Sequence, residues 1–148
     1  MYKLNLPGKT LIFVTSIILL VGGGINILTS VPMLLSSSYW DAVLPIFIPW
    51  SIWYAYALIL SGYMLFMSIS GIRFCNNPEK ANFLFTLGII SVIFAVITLI
   101  FNILILGNLF LIVGLLMPIL FLVGASKNKR YQAEMGNLED TTNENKNM

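Results

Sequence analysis

The side chains that carry most protein chemistry are scarce in this chain. Its 148 residues include no His, one Cys, eight Lys or Arg and six Asp or Glu. Without His, and with Cys75 alone, the chain cannot form an internal disulfide, a Cys/His zinc site or a His-ligated haem, nor a Ser-His or Cys-His nucleophile pair. No metal, phosphate-binding or nucleophile motif is present, and no cofactor is expected. The net charge of +2 is too small and too local to point to nucleic acid. What remains is polar and uncharged: Asn26, Thr98 and Asn102 inside apolar runs, and Trp40 with Asp41 in the longest polar break. Cys75 lies beside Arg73, where a juxtamembrane thiol is a candidate for acylation.

The elements that hold these residues are membrane spans. Apolar residues make up 58% of the chain and charged residues 9%, against about a quarter charged in soluble domains. From Ala81 to Ala125 there is no ionisable residue at all. As one helix that stretch would measure roughly 67 Å, over twice the hydrocarbon core, so it must fold back into two spans. Gly107 and Asn108 suit the turn, as a helix stop and a new N-cap. The fold expected is an all-α integral membrane bundle of four transmembrane helices at about residues 10–30, 50–72, 78–103 and 109–125, with an outer loop at 31–49, an inner loop at 73–77 and an outer turn at 104–108. A signal peptide is disfavoured, because the first uncharged run is long and no small-residue cleavage site follows.

Local chemistry sets the borders. Trp50, Trp53, Tyr54 and Tyr56 form an aromatic belt at the start of the second span. Asn77 caps the third, Pro78 takes its first position, and Glu79 sits near the positive end of its dipole. Residues 126–148 are Asn-rich and mixed in charge, and predict a disordered tail. Lys and Arg occur near the N-terminus, between residues 73 and 80, and in the tail, but never in the 31–49 loop or the 104–108 turn. Both termini are therefore expected to be cytoplasmic. Lys127, Lys129 and Arg130 serve as a topology signal, since three charges fall short of the four to eight that mark lipid recognition.

Positions 81, 84, 88, 91, 95, 98 and 102 form one stripe of the third helix and read Ala81, Leu84, Gly88, Ser91, Ala95, Thr98 and Asn102. In lipid, small residues and interhelical hydrogen bonds drive helix association, so this is a packing seam. The first span has a broader face at Thr15, Ser16, Leu19, Gly22, Gly23, Asn26, Thr29 and Ser30. The fourth offers Gly107, Gly114, Pro118 and Ala125. A repeat near 3.5 favours left-handed packing. The second span, with a scattered pattern, is expected at the periphery. Asn26 could meet Asn102 or Thr98, as a structural hydrogen bond or as a polar step in a solute path, and Pro118 is a candidate kink.

The segments Gly71-Ile72, Asn77-Pro78-Glu79-Lys80-Ala81, Gly88-Ile89-Ile90, Met117-Pro118-Ile119-Leu120 and Gly124-Ala125-Ser126-Lys127-Asn128-Lys129 resemble small four-span membrane proteins of unknown function from low-GC Gram-positive bacteria. The resemblance covers about residues 70–130. It implies a bacterial cytoplasmic membrane and brings no activity with it.

Proton relays and ion-coupled transporters need ionisable residues within the membrane, and these spans have none. A small multidrug exporter is disfavoured on the same ground, because the acidic residue of its first span is missing. The expectation is a non-enzymatic accessory or interaction subunit that contacts the bilayer and either itself or another membrane protein. Helix packing or pore lining falls to Gly22, Asn26, Gly88, Ser91, Ala95, Thr98, Asn102 and Gly114, and outer-surface contact to Trp40 and Asp41. The alternative is a small pore, holin-like or neutral-solute transport protein.

Overall fold

Long uncharged runs of Leu, Ile, Val and Phe leave the backbone in lipid with one way to satisfy its own polar groups, the helix, and helices account for nearly all of the described residues. The computed structural model describes residues 6–37, 49–106 and 112–146, with side chains described for 6–37, 49–103 and 114–137. Helix α1 is Lys9–Leu35, α2 is Trp50–Phe74, a 3-10 turn covers Pro78–Lys80, α3 is Ala81–Leu106 and α4 is Ile112–Lys146. Gly107 and Asn108 of the expected turn, and Trp40 and Asp41 of the outer loop, lie outside the described residues.

The four helices pack as an antiparallel bundle. Gly23 of α1 faces Met64 and Leu65 of α2, and Gly71 of α2 faces Ser16 of α1, so the two run in opposite directions. Gly88 of α3 meets Leu122 of α4, while Gly8 and Ile12, at the start of α1, meet Gly124 of α4. Tyr63 and Tyr56 of α2 bond to α3 at Leu87 and Thr98. The α1–α2 and α3–α4 interfaces are the most extensive, α1–α4 is next and α2–α3 is thinner. The second span is thus no peripheral helix. Its small residues Ser68, Ser70 and Gly71 are buried together with Met67, and a scattered set of small side chains lets α2 touch two neighbours instead of one.

Among the described residues three helices, at Lys9–Leu35, Trp50–Phe74 and Pro78–Ile103, are long and apolar enough to cross a membrane; the expected fourth span at 109–125 begins outside the described residues. Leu28, Ile25, Ile59, Phe66, Ile69 and Ile93 are exposed to more than half of their surface, an apolar exterior that suits hydrocarbon rather than water. The chain is a multi-pass membrane protein by this composition. Its core, formed by Ile12, Leu19, Met67, Cys75, Leu84, Leu87, Phe121 and Ala125, is concentrated at the end where Gly8, Cys75 and Asn128 meet.

The helices run further than the sequence predicts. Helix α1 continues past Pro32 to Leu35, so residues 31–35 are helix instead of outer loop. The Ser36 and Ser37 hydroxyls donate to Pro32, Met33 and Leu34 carbonyls and close that end. At the other break, Asn77 Oδ1 accepts from the Glu79 amide at 3.0 Å, with Pro78 in the first turn. Helix α3 continues through residues 104–106. Helix α4 does not stop at Ala125 but runs to Lys146, where a disordered tail is expected. The reason lies in its first polar turns: Asn128 is fully buried in the bundle, which carries the helix across the border, and the next residues include the good helix formers Lys129, Arg130, Gln132, Ala133 and Glu134.

Candidate functional site

Among the described residues, polar groups gather at both ends of the bundle. The first such feature is a clasp. The Gly8 amide donates to Asn128 Oδ1 at 2.7 Å, and Asn128 Nδ2 donates to the Cys75 carbonyl at 3.3 Å. One amide side chain thereby joins the start of α1, the end of α2 and α4. It satisfies backbone groups that the two helix ends would otherwise leave bare. The approach is allowed because Gly8 and Gly124 lack side chains: a Cβ on Gly8 would collide with the Gly124 carbonyl, and one on Gly124 would come within 2.9 Å of Ile12 Cγ1 and 3.1 Å of the Gly8 carbonyl oxygen. A turn deeper, Gly71 lies against Ser16 and Phe121. The Ser16 hydroxyl is buried there with no hydrogen-bond partner among the described residues.

Cys75 belongs to this clasp. Its thiol donates to the Ile72 carbonyl at 3.4 Å and the residue is 6% exposed. Burial pushes the thiol pKa up, while the Lys9 ammonium and a backbone hydrogen bond oppose the shift. A shielded, protonated thiol is a poor acylation site, which removes that candidate.

The α3 stripe faces the neighbouring helices. Ala81, Leu84, Gly88, Ser91 and Asn102 are buried, and Ala95 and Thr98 half-buried. The stripe bonds differently from the sequence-level expectation. Thr98 Oγ1 donates to Phe94 O at 2.8 Å, leaving its lone pairs for Tyr56 Oη at 3.0 Å. Asn102 Nδ2 donates to Thr98 O of its own helix at 2.7 Å. Neither meets Asn26, because α1 and α3 stand diagonally across the bundle.

The second feature is on α1. Gly22, Asn26 and Thr29 are exposed, and among the described residues no atom of another helix lies within 4 Å of a Cβ built on Gly22. A groove of about 270 Å³ runs between α1 and α2, lined by Asn26, Thr29, Ser30, Met33, Trp53, Tyr54 and Ala57. The aromatic belt forms its wall, with Trp50 stacked on Tyr54 at 6.0 Å and Trp53 tilted against Tyr56 and Phe101. Gly114 is likewise exposed with open space around it. Gly22, Asn26 and Gly114 are exposed, while Gly23 and Gly124 make the close contacts with α2 and α1. On α1 a heptad of small residues identifies the helix face only to within one position, and Gly23, next to Gly22, is the one turned inward.

Sequence reasoning missed Gly8, Gly124, Asn128, Tyr56 and Tyr63. The two tyrosines are seven residues apart on one face of α2, a spacing that could have revealed their shared contact with α3; Asn128, between two lysines, carried no such signal. Among the described residues no cluster of His, Cys, Asp and Glu could hold a metal ion. No protein-family model, characterised protein or solved structure matches the chain.

Proposed function

We propose that this protein is a non-enzymatic accessory or interaction subunit of a bacterial cytoplasmic membrane, with both termini on the cytoplasmic side, acting through helix contacts with another membrane protein. The observation that carries this reading is the exposed polar face of α1 at Gly22, Asn26 and Thr29. An amide facing hydrocarbon is costly and seeks a partner, and small residues beside it let a second helix come close. Solubilisation in mild detergent, followed by identification of co-purifying proteins and of particle mass, tests it. A stoichiometric second membrane protein, lost on Asn26→Leu, is the expected result; particles of a single chain at native expression would refute it.

A second reading rests on the same face. If several copies form a ring with Asn26 and Thr29 turned inward, they would line a pore for a neutral solute. Particles of defined multiple mass, together with solute release from liposomes that disappears in Asn26→Leu, would establish the pore in place of the subunit.

A further inference from the structure

Residues Phe66, Ile69 and Arg73 follow one another at i, i+3 and i+7 along the outside of α2. All three are exposed, Phe66 at 54% and Ile69 at 57%. Across the thin α2–α3 interface, Phe83 is 40% exposed and meets the edges of Phe66 at 6.5 Å and of Phe74 at 6.2 Å. The Arg73 guanidinium carbon lies 5.4 Å from the Phe74 ring centroid, and the exposed Lys80 stands at the start of α3. The surface is therefore apolar along the bundle and ends in two exposed cations, Arg73 and Lys80, with one exposed carboxylate, Glu79, in the same turn as Lys80.

We propose that this surface binds one acidic phospholipid, the headgroup phosphate between Arg73 and Lys80 and an acyl chain along Phe66, Ile69 and Phe83. A free anion would meet the charges and leave the apolar strip unused; a neutral lipid would do the reverse. A molecule with both parts satisfies both. The surrounding charge favours the same ligand. Lys9, Lys127, Lys129 and Arg130 stand at the same end of the bundle, with Lys129 Nζ held 4.4 Å over the Phe85 ring. The sequence divides these residues into three groups, and the Gly8–Asn128–Cys75 clasp collects them. Six cations meet the density expected of acidic-lipid recognition. The site does not depend on which side of the membrane this end faces, and so stands apart from the proposed function.

The test uses the purified full chain in detergent, with lipid retention read by native mass spectrometry and the thermal midpoint read in parallel. Phosphatidylglycerol is expected to be retained and to raise the midpoint, with a preference over phosphatidylcholine of roughly thirtyfold for two cations near a headgroup. The preference should disappear in Arg73→Gln/Lys80→Gln and persist in the charge-keeping Arg73→Lys/Lys80→Arg. Equal retention of the two lipids overturns the proposal, as does a preference unchanged in the Gln variant, or a midpoint shift reproduced by inorganic phosphate alone. Should the Gln variant fail to fold, the wild-type protein decides: the preference must fall as salt rises from about 50 mM to about 500 mM, and a salt-independent preference overturns the site.

Discussion

Asn128 is where a single side chain does most for this molecule. Replacing it with Leu removes the acceptor of the Gly8 amide and the donor to the Cys75 carbonyl, leaving two backbone groups buried and bare. The expected cost is about 2 kcal/mol or more, measurable by denaturant titration in mixed micelles. Asn26→Leu, on an exposed face, should change stability of the isolated chain by less than about 0.5 kcal/mol. The contrast matters because the sequence singles out Asn26 and passes over Asn128. Tyr56→Phe and Tyr63→Phe each remove one bond to α3 and should cost about 0.6 to 2 kcal/mol; no loss in either would mean that these tyrosines do not hold α2 to α3. Cys75 offers a separate check. The fold favours its neutral thiol, so its contribution is intact at acidic and neutral pH and declines as pH rises through the thiol range. A thiol reagent should label Cys75 slowly in the folded protein and quickly after unfolding, with the difference narrowing at high pH.

Among the helices, glycines are distinguished by what surrounds them. Gly124→Ala places a methyl group against the Ile12 side chain and the Gly8 carbonyl, and α1 must move away from α4 at a cost of about 1 to 3 kcal/mol. Gly114→Ala meets no atom of the described residues and should stabilise by about 0.4 to 1 kcal/mol, since Ala loses less backbone freedom on folding. Both residues stand in α4, so the pair separates packing from propensity within one element, and thermal midpoints read the difference. Periodicity in the sequence is enough to find the α3 stripe because its seven positions agree. On α1 it places the glycine one position off, Gly22 for Gly23, since adjacent residues are 100° apart and the neighbouring helix decides which of two serves; on α4 the expected Pro118 and Ala125 are buried, and Gly124 beside Ala125 makes the contact with α1. The length of α4 is a further prediction: Gly136→Ala, with open space around it, should raise helicity by circular dichroism if residues beyond Ala125 are helical, and leave it unchanged in a coil.

At the scale of the whole molecule, the clasp puts Gly8 and Asn128 at the same end, so the segments flanking the bundle emerge on one side. Tags placed at the N-terminus and after Met148 should share one accessibility to protease in sealed vesicles, and opposite accessibility would contradict the bundle's topology. Composition and charge-free runs by themselves determined that the chain is helical and crosses a membrane several times, because a bilayer leaves an uncharged 20-residue run almost no alternative to a helix. They also located the Asn77-Pro78 helix start, whose chemistry is local. Only the tertiary structure decided which small residues touch, that α2 is integral to the bundle, that Thr98 bonds to Tyr56 instead of Asn26, and that Asn128 ties Gly8 to Cys75. Those outcomes depend on how helices rotate and pair across distances such as the 120 residues between Gly8 and Asn128, and in lipid, where every apolar face is equally content, the rotation is set by close contacts and a few hydrogen bonds that no single helix contains.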